Sequence, residues 1–207
     1  MGFWDSASVS ADNLARLGPF VNGVVGTEGK YSVLNDAVAA GWTRMILAPG
    51  ASMNANVTLA AGTSIISLSS NITIGGNYRI NVAGDDCYLE GFRVSNNTGV
   101  GFYITGARAR FFRCDARNCL SHGFHFNASG GEHEIIVCLA YANGGDGVRC
   151  EVNNSARISM LRSQSNVGWG INDLTGVAQI SCSYLISNTA GPHNGATTYT
   201  DQSVKIT

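Results

Sequence analysis

Leu89-Glu90-Gly91-Phe92-Arg93-Val94-Ser95-Asn96-Asn97-Thr98-Gly99-Val100-Gly101 is the first of five segments that align column by column; Phe111–Gly123, Ile135–Gly147, Ile158–Gly170 and Ile180–Pro192 follow it at intervals of 22 to 24 residues. The first column reads Leu89, Phe111, Ile135, Ile158, Ile180. Three positions on come Phe92, Cys114, Cys138, Leu161 and Ser183, and two further on Val94, Ala116, Ala140, Ser163 and Leu185. A turn column follows (Asn97, Cys119, Asn143, Asn166, Asn188), then Gly101, Gly123, Gly147 and Gly170, each before Phe102, Phe124, Val148 or Ile171. A period of this length, built from β-formers with Asn and Gly at the corners, marks a solenoid.

Within each unit the apolar residues alternate, as in Phe92-x-Val94 and Phe102-x-Ile104, so that one set points inward and the next outward. Such runs are too short and too often broken by Gly or Asn for helices. If one repeat makes one turn, each column becomes a ladder of like residues on rungs about 4.8 Å apart. Apolar ladders then fill the lumen, because one rung cannot bury its own inner face. The Asn column fits side-chain amides bonding along the axis at a corner that wants a left-handed backbone, and the Gly column fits positive φ at another. The sequence therefore predicts an all-β chain: a right-handed, single-stranded parallel β-helix of about seven coils.

Val57–Leu59, Ser64–Ile66, Ile72–Ile74 and Arg79–Val82 extend the pattern toward the N-terminus, so the coils run from about residue 45 to 198. Before them, Tyr31–Ala40 is an amphipathic helix with Ser32 as N-cap and Gly41 past its end, the expected lid on the first coil. Residues 1–30 read as an arm and 31–207 as the capped β-helix domain. Phe3, Trp4, Leu14, Leu17 and Phe20 are large apolar groups with no place in a coil lumen, which makes the arm an anchor or a linker.

Net charge is −1 and only 13% of residues are charged, so neither a basic stripe nor an acidic tail points to nucleic acid or to a basic partner. No stretch approaches the length of a membrane span, and the N-terminus lacks a signal peptide. Met1-Gly2-Phe3-Trp4-Asp5-Ser6 matches the myristoylation pattern, and Asn56-Val57-Thr58 a glycosylation sequon, but Asn-rich turns beside Thr generate sequons automatically. Of six cysteines, Cys114 and Cys138 share an inward column and Cys150 aligns with Ile104 and Phe126. They read as small buried hydrophobes and reduced thiols, with no metal-ligand spacing and no cofactor motif.

Tyr31-Ser-Val-Leu-Asn-Asp-Ala-Val-Ala-Ala-Gly-Trp-Thr-Arg-Met-Ile-Leu-Ala-Pro-Gly50 resembles the opening of the pectate-lyase-like superfamily, where a capping helix leads into a first strand ending in Pro-Gly. Joined to the Asn-cornered repeats, it looks most like the β-helical spike proteins of tailed bacteriophages. The resemblance covers about four fifths of the chain. It implies a homotrimer with coils side by side, located in the virion and made in the host cytoplasm. Many such proteins bind or cleave host surface glycans, although a fold alone does not carry an activity. The chain is shorter than enzymatic tailspikes, which implies either a fragment or a smaller task such as decorating or cementing a particle.

Val137, Leu139, Tyr141, Met160, Tyr184 and Ile186 fall on one outward face among Arg93, Arg113, Asp115, Arg117 and Arg162, and clustered exposed aliphatics mark an interface, here the expected trimer contact. A second face carries Tyr103, His125, Arg149 and Asn172, with Thr105, Asn127 and Glu151 beside them; an aromatic next to polar groups could stack on and hydrogen-bond a sugar, but a solvated β-helix face is the simpler reading. Hydrolysis needs two carboxylates about 5 to 9.5 Å apart. The weak candidates are Glu151 and Asp173, whose column otherwise points inward. A lyase would need clustered acids for a metal plus a base, and no column has three acids. Glu132-His133-Glu134 reads as a charged corner. The expectation is a virion structural protein, partnered by itself and by capsid or tail proteins. The alternative is a depolymerase (glycoside hydrolase or polysaccharide lyase) or receptor-binding spike acting on host polysaccharide.

Overall fold

The computed structural model describes residues 22–195 other than 28, 68, 70, 71, 128–130, 152–154 and 177, together with strand backbone at 198–199 and 205–206. Phe3, Trp4, Leu14, Leu17 and Phe20 of the arm lie outside the described residues. The chain is a parallel β-solenoid of about seven turns, and each regular turn contributes one strand to each of three sheets. Sheet I has nine strands, from Gly23–Val25 through Tyr88–Glu90 and Arg110–Phe112 to Thr198–Tyr199. Sheet II runs from Thr73–Gly76 to Lys205–Ile206 and sheet III from Val57–Leu59 to Gly191–Asn194, with seven strands each.

The register is that of the sequence columns. Leu89, Phe111, Ile135, Ile158 and Ile180 are successive partners, all buried. Val94, Ala116, Ala140, Ser163 and Leu185 stack inside sheet II, and Phe102, Phe124, Val148 and Ile171 inside sheet III. Phe102 lies 4.9 Å from Phe124 with its ring parallel, and Phe111 meets both edge-on, so the middle of the lumen is aromatic. The six cysteines are free thiols and all but Cys182 are buried.

Four expectations need correction. First, Gly23–Val25, inside the segment read as an arm, pairs in parallel with Arg44–Leu47, so the solenoid begins earlier than residue 45. Second, the helix spans Leu34–Ala39 and its N-cap position is held by extended Val33 without a side-chain bond; the Ser32 carbonyl is already taken by Ser52 N. Gly41 does follow it at φ +80°. Third, the glycine column does not have positive φ. Gly123 and Gly147 are required because a Cβ would meet the carbonyl oxygen of Gly147 at 2.8 Å or of Gly170 at 2.7 Å. Positive φ falls instead on Arg113, Val137, Met160 and Cys182 between sheets I and II, and on Asn118, Ala142, Ser165 and Ser187 between II and III. Fourth, the ladder Asn residues follow these left-handed positions, and in the first repeat Asn96, not Asn97, is the buried one. Pairing there continues to Gly76–Asn96, which shifts the corner by one residue.

The amide ladder itself is present. Asn143 Nδ2 donates to Asn166 Oδ1 at 2.9 Å and Asn166 Nδ2 to Asn188 Oδ1 at 2.8 Å. Each amide also donates to a carbonyl of the preceding coil: Ala116, Ala140 and Ser163 for Asn143, Asn166 and Asn188. Buried amides without partners would be costly, so the ladder satisfies a corner that water cannot reach. Among the described residues no helix is long and apolar enough to cross a membrane.

Candidate functional site

Parallel pairing in register turns every outward position into a row along the solenoid. On sheet III the row is Thr58, Asn81, Tyr103, His125, Arg149, Asn172, Asn194. The four glycan candidates therefore do lie together. Their polar atoms, however, are mostly engaged with one another. Arg149 Nε donates to Glu151 Oε1 at 2.5 Å, and His125 Nε2 sits 3.2 Å from Glu151 Oε2. Asn172 Nδ2 donates to Asp146 Oδ2 at 2.9 Å and Asn194 Nδ2 to Asn172 Oδ1 at 3.0 Å. Asn127 donates to the Tyr103 hydroxyl, while Arg79 lies over the Tyr103 ring and His125 meets its edge.

Two members of this network were not among the sequence candidates. His122 and Asp146 occupy the position just before the aligned glycines, with Val100 and Trp169 in the same column. His122 Nδ1 accepts the backbone N–H of Asp146 at 2.9 Å, and Asp146 Oδ1 accepts that of Trp169 at 2.7 Å, so each side chain ties its coil to the next. Burial pushes His122 down to about 4, against the pull of the Asp146 carboxylate. Burial also lowers His125, opposed by its bond to Glu151. Burial would raise Glu151, but its bonds from Arg149 and His125 outweigh that and hold its carboxyl below the usual range.

The catalytic candidates do not form a pair. Asp173 partners Cys150 on the inward side of sheet III and is 1% exposed. It accepts the backbone N–H groups of Thr175, Gly176 and Ala178 and the Thr175 hydroxyl, which closes the loop after the strand. Glu151 lies on the outward side. A glycosidic bond cannot lie between two carboxylates separated by the sheet wall. Glu132, His133 and Glu134 belong to the strand Glu132–Ile136 rather than a corner, and His133 points inward, fully buried, accepting Ala109 N–H at 3.3 Å. Among the described residues no group of three or more His, Cys, Asp or Glu side chains converges as a metal site.

Sheet II carries the other surface. Arg93, Asp115, Leu139, Arg162 and Tyr184 form one outward row, and Arg117, Tyr141, Gln164 and Ile186 the next. Val137 and Met160 project from the left-handed corner that borders the sheet. Val137 is 41% exposed, Met160 and Tyr184 are 50% and Tyr141 is 36%, so four of the six interface candidates are open to solvent, while Leu139 and Ile186 are half-buried. Arg93 Nε pairs with Asp115 Oδ2 at 2.8 Å, and Arg117 shares the same carboxylate oxygen. The linear sequence has no basic run; it is the coiling that gathers Arg93, Arg113, Arg117 and Arg162 around this face. No known protein-family profile matches the chain, and no curated protein matches it.

Proposed function

We propose that this chain is a structural protein of a bacteriophage particle: a right-handed β-helix spike that decorates or cements the surface and assembles as a homotrimer through sheet II. The observation that carries the association is the exposed edge of Val137, Met160 and Tyr184 beside a rigid sheet, more apolar surface than a solvated face needs. Tyr, Met and Arg are also the side chains that concentrate at protein interfaces. The particle rests on the resemblance of Tyr31–Gly50 and the Asn-cornered repeats to phage spikes. The helix Leu34–Ala39, which buries Leu34 and Ala37, serves as the lid of the first coils.

Sedimentation equilibrium tests the assembly. The native chain should run at three times its 21.7 kDa mass, and Met160→Glu with Tyr184→Glu should return it to one. A native protein of single-chain mass would overturn the trimer. Removing residues 1–21, which leaves the strand Gly23–Val25 intact, should abolish attachment to the particle while the trimer persists.

The competing reading, a depolymerase or glycan-binding spike, is favoured by one observation, the in-register row of Tyr103, His125, Arg149 and Asn172. Release of new reducing ends from host polysaccharide, lost in Glu151→Gln, would decide for it.

A further inference from the structure

Beside the apolar edge of sheet II runs a shallow groove of about 270 Å³ lined by Arg117, Leu139, Tyr141, Arg162 and Gln164. Its register places Arg117 next to Tyr141 along one row and Leu139 next to Arg162 along the other, so a guanidinium stands at each end of an apolar floor. The charges there do not balance. Asp115 is shared by Arg93 and Arg117, so one carboxylate serves two guanidinium groups. Arg162 donates to the neutral Gln164 amide at 2.9 Å and pairs with no carboxylate among the described residues. Arg113, at the corner, lies over the Phe112 ring instead of an acid. The face is therefore basic in a chain whose net charge is −1.

We infer that this groove is a recognition site for an acidic, partly apolar peptide segment of another protein: a Glu or Asp carboxylate on Arg162, which meets no carboxylate among the described residues, with a neighbouring aliphatic or aromatic side chain on Leu139 and Tyr141. Guanidinium groups fit carboxylates bidentately, and the ring of Tyr141, 5.9 Å from the Arg117 guanidinium, adds apolar area that a simple anion would not use. A segment of this size fits: the groove has room for one or two side chains, not a folded edge. Among the described residues the carboxylates are largely spent, so the inferred acid is placed on another protein. Asp85 and Asp86 pair with Arg108, Glu134 with Arg110, and Asp146 and Glu151 with Arg149. Glu90 accepts the Tyr88 hydroxyl and Asp173 is buried. The inference rests on reading sheet II as an association face and names the chemistry of what it meets; self-association uses the adjoining edge at Val137, Met160 and Tyr184.

The test is fluorescence anisotropy of the full chain with a labelled random copolymer of glutamate and tyrosine, beside a lysine–tyrosine copolymer and hyaluronate. The glutamate–tyrosine copolymer should bind with an affinity that falls as salt rises, and Arg162→Gln or Tyr141→Ala should each weaken it about tenfold. Arg157→Gln, the same charge change on sheet I, should leave it unchanged. No binding, equal binding of hyaluronate, or equal loss in Arg157→Gln would overturn the site. Sedimentation of the same samples separates the two readings: binding by a single-chain species supports the groove and removes the homotrimer, whereas a trimer that ignores the copolymer removes the groove alone.

Discussion

The corners of this solenoid use two residue positions for opposite reasons, and the difference decides what a mutation does there. At Gly147 the backbone is not left-handed, but the space is gone: a Cβ would overlap Ser163 Oγ and press on the Gly170 carbonyl. Gly147→Ala should therefore cost about 1–3 kcal/mol, read from the urea midpoint. At Ala142 the space is open to a smaller residue but φ is +53°, which an L side chain resists. Ala142→Gly should raise the midpoint, by about 0.5–1 kcal/mol once the greater freedom of unfolded glycine is deducted. Destabilisation by Ala142→Gly would show that the corner tolerates its left-handed residue without strain. The sequence made the glycine column plain but not its cause, because crowding by the next coil and positive φ leave the same letter. It also hid the left-handed column, since Asn118, Ala142, Ser165 and Ser187 mix three residue types.

Whole columns act as elements here, and the two polar ones differ in what holds them. Asn166 is fully buried and its amide meets Ala140 O, Ser163 Oγ and Asn188 Oδ1 while accepting from Asn143. Asn166→Leu orphans groups on both neighbouring coils and should cost about 3–5 kcal/mol in chemical denaturation. A cost near zero would mean the ladder contributes register and no stability. The sheet III network instead depends on protonation. His122 accepts a main-chain N–H through Nδ1, which an imidazolium cannot do. Its proton affinity in the fold, about 4 against 6.5 when exposed, means that the unfolded chain takes the proton first as pH falls. Stability is thus full above pH 6.5 and is lost down to about pH 4, by about 2–3 kcal/mol from His122, with His125 and His193 shifted in the same sense. Melting temperatures between pH 7 and 4 should fall steeply, and less so in His122→Gln; parallel profiles would remove His122 as the cause. Tyr103, His125, Arg149 and Asn172 were legible as a row because each sits mid-strand, where alternation fixes the side. His122 and Asp146 were not, because they sit in turns, and only coiling brings a turn of one coil against the next.

Across the molecule the lumen changes character from one end to the other. The rungs around residues 88–127 are lined by Phe92, Phe102, Phe111, Phe124 and Phe126, all essentially inaccessible to water. Farther along, the same columns pass to smaller or polar groups: Phe92 gives way to Cys114, Cys138, Leu161 and Ser183, and Ile104 and Phe126 to Cys150 and Asp173. In a stack where each coil touches only its neighbours, stability is a local sum, so it should follow this gradient rather than spread evenly. Ser163 and Ser183 do hydrogen-bond inside, to Gly170 O and Ser181 O, but a satisfied hydroxyl returns less than a buried phenyl ring. Native-state hydrogen exchange read by peptide mass should therefore find the amides of Arg110–Phe112 and Phe124–Phe126 last to exchange and those of Gln179–Ser181 and Tyr184–Ile186 well before them. Phe124→Ala, by opening a cavity at the aromatic centre, should cost about 3–5 kcal/mol and erase the difference by bringing the middle rungs down to the level of the later ones. A single exchange rate across all coils in the native chain would mean that the solenoid unfolds as one unit, and that the aromatic rungs stabilise distant coils as much as their own.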